Sequence, residues 1–324
     1  MDFSILNELV LTLIIGITQG FTEFLPISST AHIRLISSIL AEGRDIGLST
    51  SNIIQIGTLI ATLQYFKEDL KQLRLRIIQI FSKPQNLQIF SHNFRTWRNN
   101  KNEFQGTPEQ ISTDITISQL IIGTLPIIVL GTLLSNFVDS TRSLSYIASF
   151  LITGSLLMAG AEYIHKKNQK IISTTKLTMS EVLLIGLFES LAIFPGISRS
   201  GATISGALMI GKGRLAAVRF SFLLSIPAIL LAGVVDITQY ALFFIRQPNF
   251  LPTNTLWSNT RISLSLSSII IAIFFAYLFG YLSLKWLLKY LGNHTTRIFI
   301  IYRIVLALIL FGVVLAQNLE ILKL

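Results

Sequence analysis

Apolar runs of membrane-spanning length are the feature that most constrains the fold of this chain of 324 residues. A helix that crosses a bilayer needs about 20 mostly apolar residues, because lipid offers no partners for backbone polar groups. Only 13% of the residues are charged, compared with roughly 25% in soluble domains. We therefore predict an all-α integral membrane protein with a single membrane domain over residues 1–324. About six runs qualify as transmembrane helices: residues 53–66 with those before them, 115–137, 144–164, 220–235 with flanks, 262–284 and 298–317.

Two further apolar runs are each broken by a short polar segment. Residues 5–40 are interrupted at Pro26, and residues 179–213 are interrupted at Pro195 and Gly196. Each half is short for a full span, and the polar residues at each break need partners that lipid cannot provide. We therefore predict that both runs form re-entrant helical hairpins.

Lys and Arg residues predict the orientation, because cytoplasmic loops of membrane proteins are enriched in them. Basic clusters in the loops 67–115, 165–176, 212–219 and 285–297 are predicted to be cytoplasmic. The first broken run then starts and ends outside, and the second starts and ends inside. The remaining loops hold only Arg44, Arg142, Arg246, Arg261 and Lys323.

The two broken runs also resemble each other in sequence. Each break is followed by three predicted spans, and similar segments that enter from opposite faces are typical of inverted-topology repeats. We predict a first repeat at about 1–164 and a second at about 177–324. The matches at a constant offset are Gly16 with Gly186, Phe24 with Phe194, Ile27 with Ile197 and Ser28 with Ser198, while Gln19 faces Glu189.

The first break concentrates polar side chains that are expensive inside a membrane and therefore indicate function. Gln19 and Glu23 are four residues apart and share one helix face. Ser29 and His32, three residues apart, would likewise place a hydroxyl and an imidazole on one face. After Pro26 a new helix is predicted, with N-cap candidates Ser28, Ser29 and Thr30.

The second break places an arginine at a helix start. Ser198 or Ser200 is the predicted N-cap, and Arg199 lies in the first turn, with Thr203 one turn later. Free backbone N–H groups beside a guanidinium group are typical of a phosphate site. Arg199 is too far from either basic flank to reach a lipid headgroup.

Together the two breaks favour phosphoryl chemistry on an anionic group in lipid. The nucleophile is left open between Ser29 activated by His32 and a water activated by His32 or Glu23. Glu23 with Gln19 is also a candidate ligand set for a divalent cation, Mg²⁺ or Ca²⁺. A transporter or flippase of a polyprenyl phosphate carrier is the alternative, since broken helices in inverted repeats are typical of transporters.

The remaining charged residues are less informative. Glu189 adds to the polar centre or bonds a neighbouring helix, and Arg303 is expected to snorkel or to pair structurally. The loop 67–115 is predicted to lie on anionic lipid headgroups rather than to bind nucleic acid. The sequence leaves the oligomeric state open, with a homodimer as one candidate.

Both breaks resemble the signatures of one family, the undecaprenyl-diphosphatases, which are bacterial membrane phosphatases associated with bacitracin resistance. Residues 19–32 are similar to its (E/Q)-x-x-x-E and Ser-Ser-Thr-Gly-His patterns, and residues 195–203 to its Pro-Gly-x-Ser-Arg-Ser-x-x-Thr pattern. The resemblance implies hydrolysis of undecaprenyl diphosphate to undecaprenyl phosphate and phosphate, assisted by a divalent cation. It also implies a location in the bacterial inner membrane, with the site open to the extracytoplasmic side.

The same resemblance implies roles for individual residues. Gln19 and Glu23 fall on the acid motif, Ser29 and His32 on proposed catalytic positions, and Arg199 on the diphosphate-binding position. Gln19 replaces the commoner Glu, and Ala31 replaces the usual Gly. The Tyr302-Arg303 pair is also similar to a family feature. The surrounding substrate-binding residues would be Ser28, Thr30, Ser198, Ser200 and Thr203.

Overall fold

The computed structural model describes residues 5–40, 46–82, 115–168, 177–246 and 264–319, and within these ranges all regular secondary structure is helical. This agrees with the predicted all-α class. A 3-10 turn, Leu191–Ile193, follows the seventh helix of the described ranges. The helices are α1 Ile5–Phe24, α2 Ser29–Leu40, α3 Leu48–Tyr65, α4 Lys67–Ser82, α5 Ile117–Ser140, α6 Leu144–Lys167, α7 Met179–Ser190, α8 Arg199–Met209, α9 Arg214–Arg246, α10 Leu266–Asn293 and α11 Arg297–Asn318.

Both predicted helix breaks are confirmed. Helix α1 ends two residues before Pro26 and α2 begins three residues after it. Helix α7 gives way to the 3-10 turn before Pro195, and α8 begins at Arg199. Proline cannot donate a backbone hydrogen bond and disfavours a helical conformation in the preceding residue, which explains why the helices stop at these points.

Five of the described helices contain segments long and apolar enough to cross a membrane. The remaining predicted run, residues 53–66, lies in α3 up to Tyr65. Helix α3 is not among the five, because polar side chains interrupt its apolar surface. Several of these polar residues, including Thr50, Thr58 and Thr62, are buried against other helices. The segments are Ile117–Leu134, Leu144–Lys167, Arg214–Thr238, Leu266–Asn293 and Arg297–Asn318.

Close helix packing occurs at corresponding places in the two halves of the chain. Helix α1 packs on α10, and α7 packs on α5. Gly16 of α1 lies against the Ala272 carbonyl of α10, and Gly186 of α7 lies against the Gly123 carbonyl of α5, so closely that a Cβ atom would overlap either one. Small residues let helix backbones approach in membranes. Close helix packing therefore explains why glycine occurs at both Gly16 and Gly186.

The basic segment that was predicted as a loop is helical where the structure describes it. Residues 67–82 form α4, whose Asp69 accepts a hydrogen bond from Arg219 of α9 at 3.5 Å. The rest of that predicted loop, residues 83–114, lies outside the described residues, as do residues 169–176 of the second basic loop. Arg44, Arg261 and Lys323 also lie outside them.

Candidate active site

The turns at the two breaks share an unusual backbone conformation. Ser28 and Ser198 both have φ of 72°, and among the described residues no other non-glycine residue has a positive φ. Their hydroxyls accept backbone N–H groups in the first turn of the next helix, from Ala31 at 3.4 Å and from Gly201 at 3.3 Å. A left-handed residue is costly for a side chain with a Cβ, so the surrounding structure must hold both turns in place.

Glu23 is the centre of the polar network between the turns. Its Oε2 accepts hydrogen bonds from Gln19 Nε2 at 2.7 Å and from Ser29 Oγ at 2.8 Å. Its Oε1 accepts Nη2 of Arg199 at 2.5 Å in an ion pair whose side chains are 5% and 17% exposed. The structure therefore brings a carboxylate of the first break and the guanidinium of the second into direct contact.

His32 is hydrogen-bonded on both ring nitrogens. Nδ1 donates to the Ser28 carbonyl at 2.7 Å, and Nε2 is 2.7 Å from the Tyr302 hydroxyl. In the neutral ring Nε2 then accepts the hydroxyl proton of Tyr302. The Ser29 hydroxyl, in contrast, donates a hydrogen bond to Oε2 of Glu23. The spacing of Ser29 and His32 predicted a hydroxyl–imidazole face, but the structure pairs the Ser29 hydroxyl with a carboxylate.

Two of the predicted substrate-binding residues support the turns. Ser200 Oγ donates to the Leu25 carbonyl at 3.3 Å and lies 3.2 Å from Ser198 Oγ. Thr203 donates to the Arg199 carbonyl at 2.8 Å and also hydrogen-bonds the Ser221 hydroxyl. Ser200 therefore connects the second turn to the first.

A cavity of about 190 Å³ opens between the two turns. Its walls include six of the predicted residues: Glu23, Ser28, Ser29, Thr30, Ser198 and Arg199. The other four, Gln19, His32, Ser200 and Thr203, do not line it, although Gln19 bonds Glu23 and His32 bonds Ser28.

Two buried groups near the network lack hydrogen-bond partners among the described residues. These groups are Oε1 of Gln19 and both carboxylate oxygens of Glu189. Both residues are fully buried. Glu189 interacts electrostatically with Arg199, which supports the sequence interpretation that it adds to the polar centre.

Arg303 connects the two turns from α11. Its guanidinium donates to the Pro26 carbonyl at 3.3 Å and to the Gly196 carbonyl at 3.0 Å, one in each break. It also donates to the Leu151 carbonyl and to Ser155 Oγ of α6. The side chain is fully buried, so the snorkelling interpretation is wrong, and these hydrogen bonds agree with the structural one.

The sequence that forms this geometry matches a known protein family. A family model described as bacitracin resistance protein BacA matches residues 12–309. That range contains both breaks and every residue of the network.

The chain belongs to the BacA family.

Relatives of this BacA protein match it over most of its length. A protein of Chloroherpeton thalassium is 36% identical over 318 residues, which cover 97% of this chain and 99% of the relative. A protein of Prosthecochloris aestuarii is 36% identical over 95% of this chain and 98% of the relative, and one of Chlorobium limicola is 38% identical over 90% and 92%. All three are named undecaprenyl-diphosphatase. The predicted family is confirmed, and with its apolar helices this BacA protein is a multi-pass membrane protein.

The sequence interpretation missed several residues of the cavity. Asn52 and Gln55 of α3 line it, as does Arg142 after α5. Asn52 also donates to Asp236 of α9 at 2.8 Å. Two amides three residues apart in an apolar run share a helix face, and this signal could have pointed to them. The Tyr302-Arg303 pair was noted only for its similarity to a family feature, and the bond of Tyr302 to His32 was not predicted, because it joins residues far apart in the sequence.

Proposed function

We propose that this protein hydrolyses undecaprenyl diphosphate to undecaprenyl phosphate and inorganic phosphate, and so recycles a lipid carrier used for cell-wall synthesis. Membership of the BacA family and the names of the relatives support this function. The observation that carries it is the ion pair between Arg199 and Glu23 at the cavity between two helix breaks. In this pair the guanidinium of Arg199 can bind phosphate, and the carboxylate of Glu23 can accept a proton.

The diphosphate would bind at Arg199 and at the starts of α2 and α8. A guanidinium group can hold two phosphate oxygens at once, and the first N–H groups of a helix attract anions. The hydroxyls of Ser28, Thr30 and Ser198 line the same cavity and can donate further hydrogen bonds. Bound phosphate oxygens would compete with Glu23 for Arg199 and release the carboxylate for chemistry.

The geometry favours Ser29 as the nucleophile. Ser29 Oγ would attack the terminal phosphorus and pass its proton to Glu23, which already accepts it at 2.8 Å. The bond between the terminal phosphorus and the bridging oxygen breaks, and undecaprenyl phosphate leaves. Water then hydrolyses the phosphoserine to give inorganic phosphate and free Ser29. Direct attack by a water that gives its proton to Glu23 would form the same products.

In this scheme His32, unlike Ser29, takes no direct part in the attack on phosphorus. Its bonds to the Ser28 carbonyl and to Tyr302 favour a role in holding the first turn and in proton transfer to groups that enter the cavity. Tyr302 would fix the ring orientation. Rotation of the imidazole out of these bonds would be needed before it could activate Ser29 or attack phosphorus itself.

A divalent cation, Mg²⁺ or Ca²⁺, would be held by Glu23, and Gln19 could join it only after its amide turns Oε1 toward the carboxylate in place of the Nε2 that now donates. Hard cations prefer oxygen ligands, and Mg²⁺ is usually held by one or two carboxylates together with substrate phosphates. Gln19 Oε1 is buried without a hydrogen-bond partner in the described part of the chain, and it belongs to the side chain that bonds Glu23. When bound, the cation would neutralise charge on the diphosphate. We expect removal of divalent cations with EDTA to lower phosphate release by more than about tenfold, and added Mg²⁺ or Ca²⁺ to restore it.

The topology that we propose has about six spans and two re-entrant hairpins in an inverted repeat. Support comes from the matched φ values of Ser28 and Ser198 and from the corresponding contacts of Gly16 and Gly186. The distribution of Lys and Arg supports a cavity open to the extracytoplasmic side, and membership of the BacA family supports a bacterial inner-membrane location. The two repeats would then meet at the Glu23–Arg199 pair.

Phosphate release from undecaprenyl diphosphate by the purified full-length protein in detergent tests the function. We expect Arg199→Ala and Glu23→Ala each to lower the rate by at least about a hundredfold. Arg74→Ala and Glu68→Ala, which remove the same charges from exposed positions on α4, should retain the wild-type rate. Binding of the lipid without any hydrolysis by the wild-type protein would reject the phosphatase and favour a carrier.

A further inference from the structure

The walls of the cavity between the two turns differ in polarity. Helices α5 and α9 contribute apolar side chains, which are those of Ile127, Val138, Ala228, Ile229 and Ala232. Outside the two breaks, the polar side chains among the described residues of the wall are Asn52 and Gln55 of α3 and Arg142 after α5. Helix α3 therefore adds a polar wall that takes no part in the proposed attack on phosphorus.

The face of α3 that carries Gln55 is turned toward this cavity. Leu48, Asn52 and Gln55 all line the cavity, and residues four and seven positions apart lie on one face of a helix. On the opposite face, Gly57 packs so closely against the Ile273 carbonyl of α10 that a Cβ atom would overlap it. This packing on α10 fixes the rotation of α3, and with it the direction of the Gln55 side chain.

The amide group of Gln55 is accessible and unpaired. Gln55 is half-buried, and its side chain has no hydrogen-bond partner in the described part of the chain. Both amide atoms keep accessible surface, because the polar atoms that are fully buried without a partner belong to other residues. Nε2 can donate two hydrogen bonds and Oε1 can accept. The side chain can therefore bind a polar group that enters the cavity.

Asn52 places a second amide on the same face of α3. Its Nδ2 donates to Oδ2 of Asp236 on α9 at 2.8 Å, which orients the amide and leaves its second N–H available. Three helical residues separate Asn52 from Gln55, which corresponds to about 4.5 Å along the axis. The wall therefore offers two neutral donors at neighbouring levels of the cavity.

A diphosphate bound for the proposed reaction would reach this wall. Attack by Ser29 requires the terminal phosphate to lie beside Ser29, Glu23 and Arg199, at the breaks. The cavity of about 190 Å³ is comparable in size with a diphosphate group. The second phosphate, which stays on the lipid, must then occupy the part of the cavity next to α3.

We propose that Gln55 is a substrate-binding residue that recognises the phosphate retained by the lipid product, with Asn52 as a second donor. This inference rests on the proposed function and adds the part of the site that distinguishes a prenyl diphosphate from a prenyl monophosphate. Hydrogen bonds from neutral amides are weaker than those from a guanidinium group. They reward the presence of the second phosphate without holding the lipid monophosphate so tightly that its release is slow.

Gln55→Met tests this role in the full-length protein in detergent. Methionine has a side chain of similar length without the amide, and an apolar residue in an apolar helix should not impair folding. We expect kcat/KM for phosphate release from undecaprenyl diphosphate to fall about tenfold, as for the loss of a hydrogen bond to a charged group. Gln72→Met makes the same change at an exposed position on α4 and should retain the wild-type value. Wild-type kcat/KM in Gln55→Met would overturn the proposal.

Binding of the two products separates recognition from a general loss of structure. Calorimetry measures the affinity for inorganic phosphate alone, and for farnesyl phosphate in saturating inorganic phosphate, which fills the half of the cavity at Arg199. Gln55→Met should weaken farnesyl phosphate binding about tenfold and change phosphate binding less than about twofold. Thr30→Val, which removes a hydroxyl at the start of α2, should show the reverse. Equal weakening of both ligands by Gln55→Met would indicate a structural role and contradict the proposal.

The binding measurements need no hydrolysis, so they distinguish this inference from the proposed function. A wild-type protein that releases no phosphate, with selective loss of farnesyl phosphate binding in Gln55→Met, would reject the phosphatase and keep the Gln55 site. An active wild-type protein, with both ligands bound equally well by Gln55→Met, would keep the phosphatase and reject the Gln55 site.

Discussion

Glu23 accepts hydrogen bonds from donors in three parts of the chain, and these bonds fix its side chain at the centre of the site. Its partners are Gln19 one turn earlier, Ser29 beyond the first break and Arg199 beyond the second. Removal of one member of a buried ion pair leaves the other charge unpaired, which is strongly destabilising. Glu23 therefore has two roles. It would accept a proton in the reaction that we propose, and its ion pair with Arg199 holds the two breaks together.

Substitution of Ser29 by alanine distinguishes the two routes of attack. If Ser29 is the nucleophile, Ser29→Ala should lower phosphate release by at least about a thousandfold. Ser38→Ala is the matched control on α2, because the Ser38 hydroxyl bonds only Arg34 of the same helix, donating to its carbonyl at 2.8 Å and accepting its Nη1 at 3.4 Å. It should change the rate by less than about twofold. Rates are measured as phosphate released from undecaprenyl diphosphate.

Rapid acid quenching of the wild-type reaction gives the second readout. A phosphorylated peptide that contains Ser29 should accumulate during the first turnover. A Ser29→Ala variant that keeps its activity, together with ¹⁸O from water in the first phosphate released, would instead assign the attack to water.

The residues of the site were largely predictable from sequence, but their pairing was not. Polar side chains in an apolar run stand out because lipid does not tolerate them, and this identified Glu23 and Arg199. The partner of Ser29 depends on how α1 and α2 are turned relative to each other, which the left-handed backbone at Ser28 decides. Helical spacing alone favoured His32, and the structure instead gives Glu23.

At the scale of the helices, Arg303 of α11 fixes the relative position of the two breaks. Its donors satisfy the Pro26 and Gly196 carbonyls, which the interrupted helices leave without their usual partners. Arg303→Met should therefore destabilise the protein by at least about 3 kcal/mol, since each buried group left unsatisfied costs about 1–3 kcal/mol. Thermal unfolding of the purified protein in detergent measures the change.

The control for this prediction lies on the same helix. Arg297 is an exposed residue at the start of α11, and Arg297→Met should change stability by less than about 0.5 kcal/mol. Equal unfolding temperatures of the Arg303→Met variant and the wild type would mean that the two turns keep their geometry without this side chain.

The helix breaks were predicted because proline acts locally on the chain. The position of Arg303 at both breaks could not be predicted, because it depends on long-range packing of α11 on α6. Helix α3 was predicted from its local sequence, but its position at the cavity was not. Its apolar residues predicted an ordinary span, but polar residues such as Asn52 are placed at the cavity by packing against α9 and α10.

For the whole molecule, the inverted repeat predicts that α2 and α8 end on opposite faces of the membrane. The chain contains no cysteine, so single cysteines can report accessibility without a background. Leu40→Cys at the end of α2 should react with a membrane-impermeant maleimide in intact cells. Gly213→Cys, after α8, should react only after the cells are permeabilised. Labelling of both in intact cells would exclude the proposed topology.

The small size of the cavity between the turns limits how much of a lipid this protein can recognise. A cavity of about 190 Å³ can take a group the size of a diphosphate, whereas a polyprenyl tail is far larger and would lie outside it. Selection would then act at the charged tip of the substrate, and prenyl diphosphates of different lengths should compete for the protein according to how they partition into the membrane.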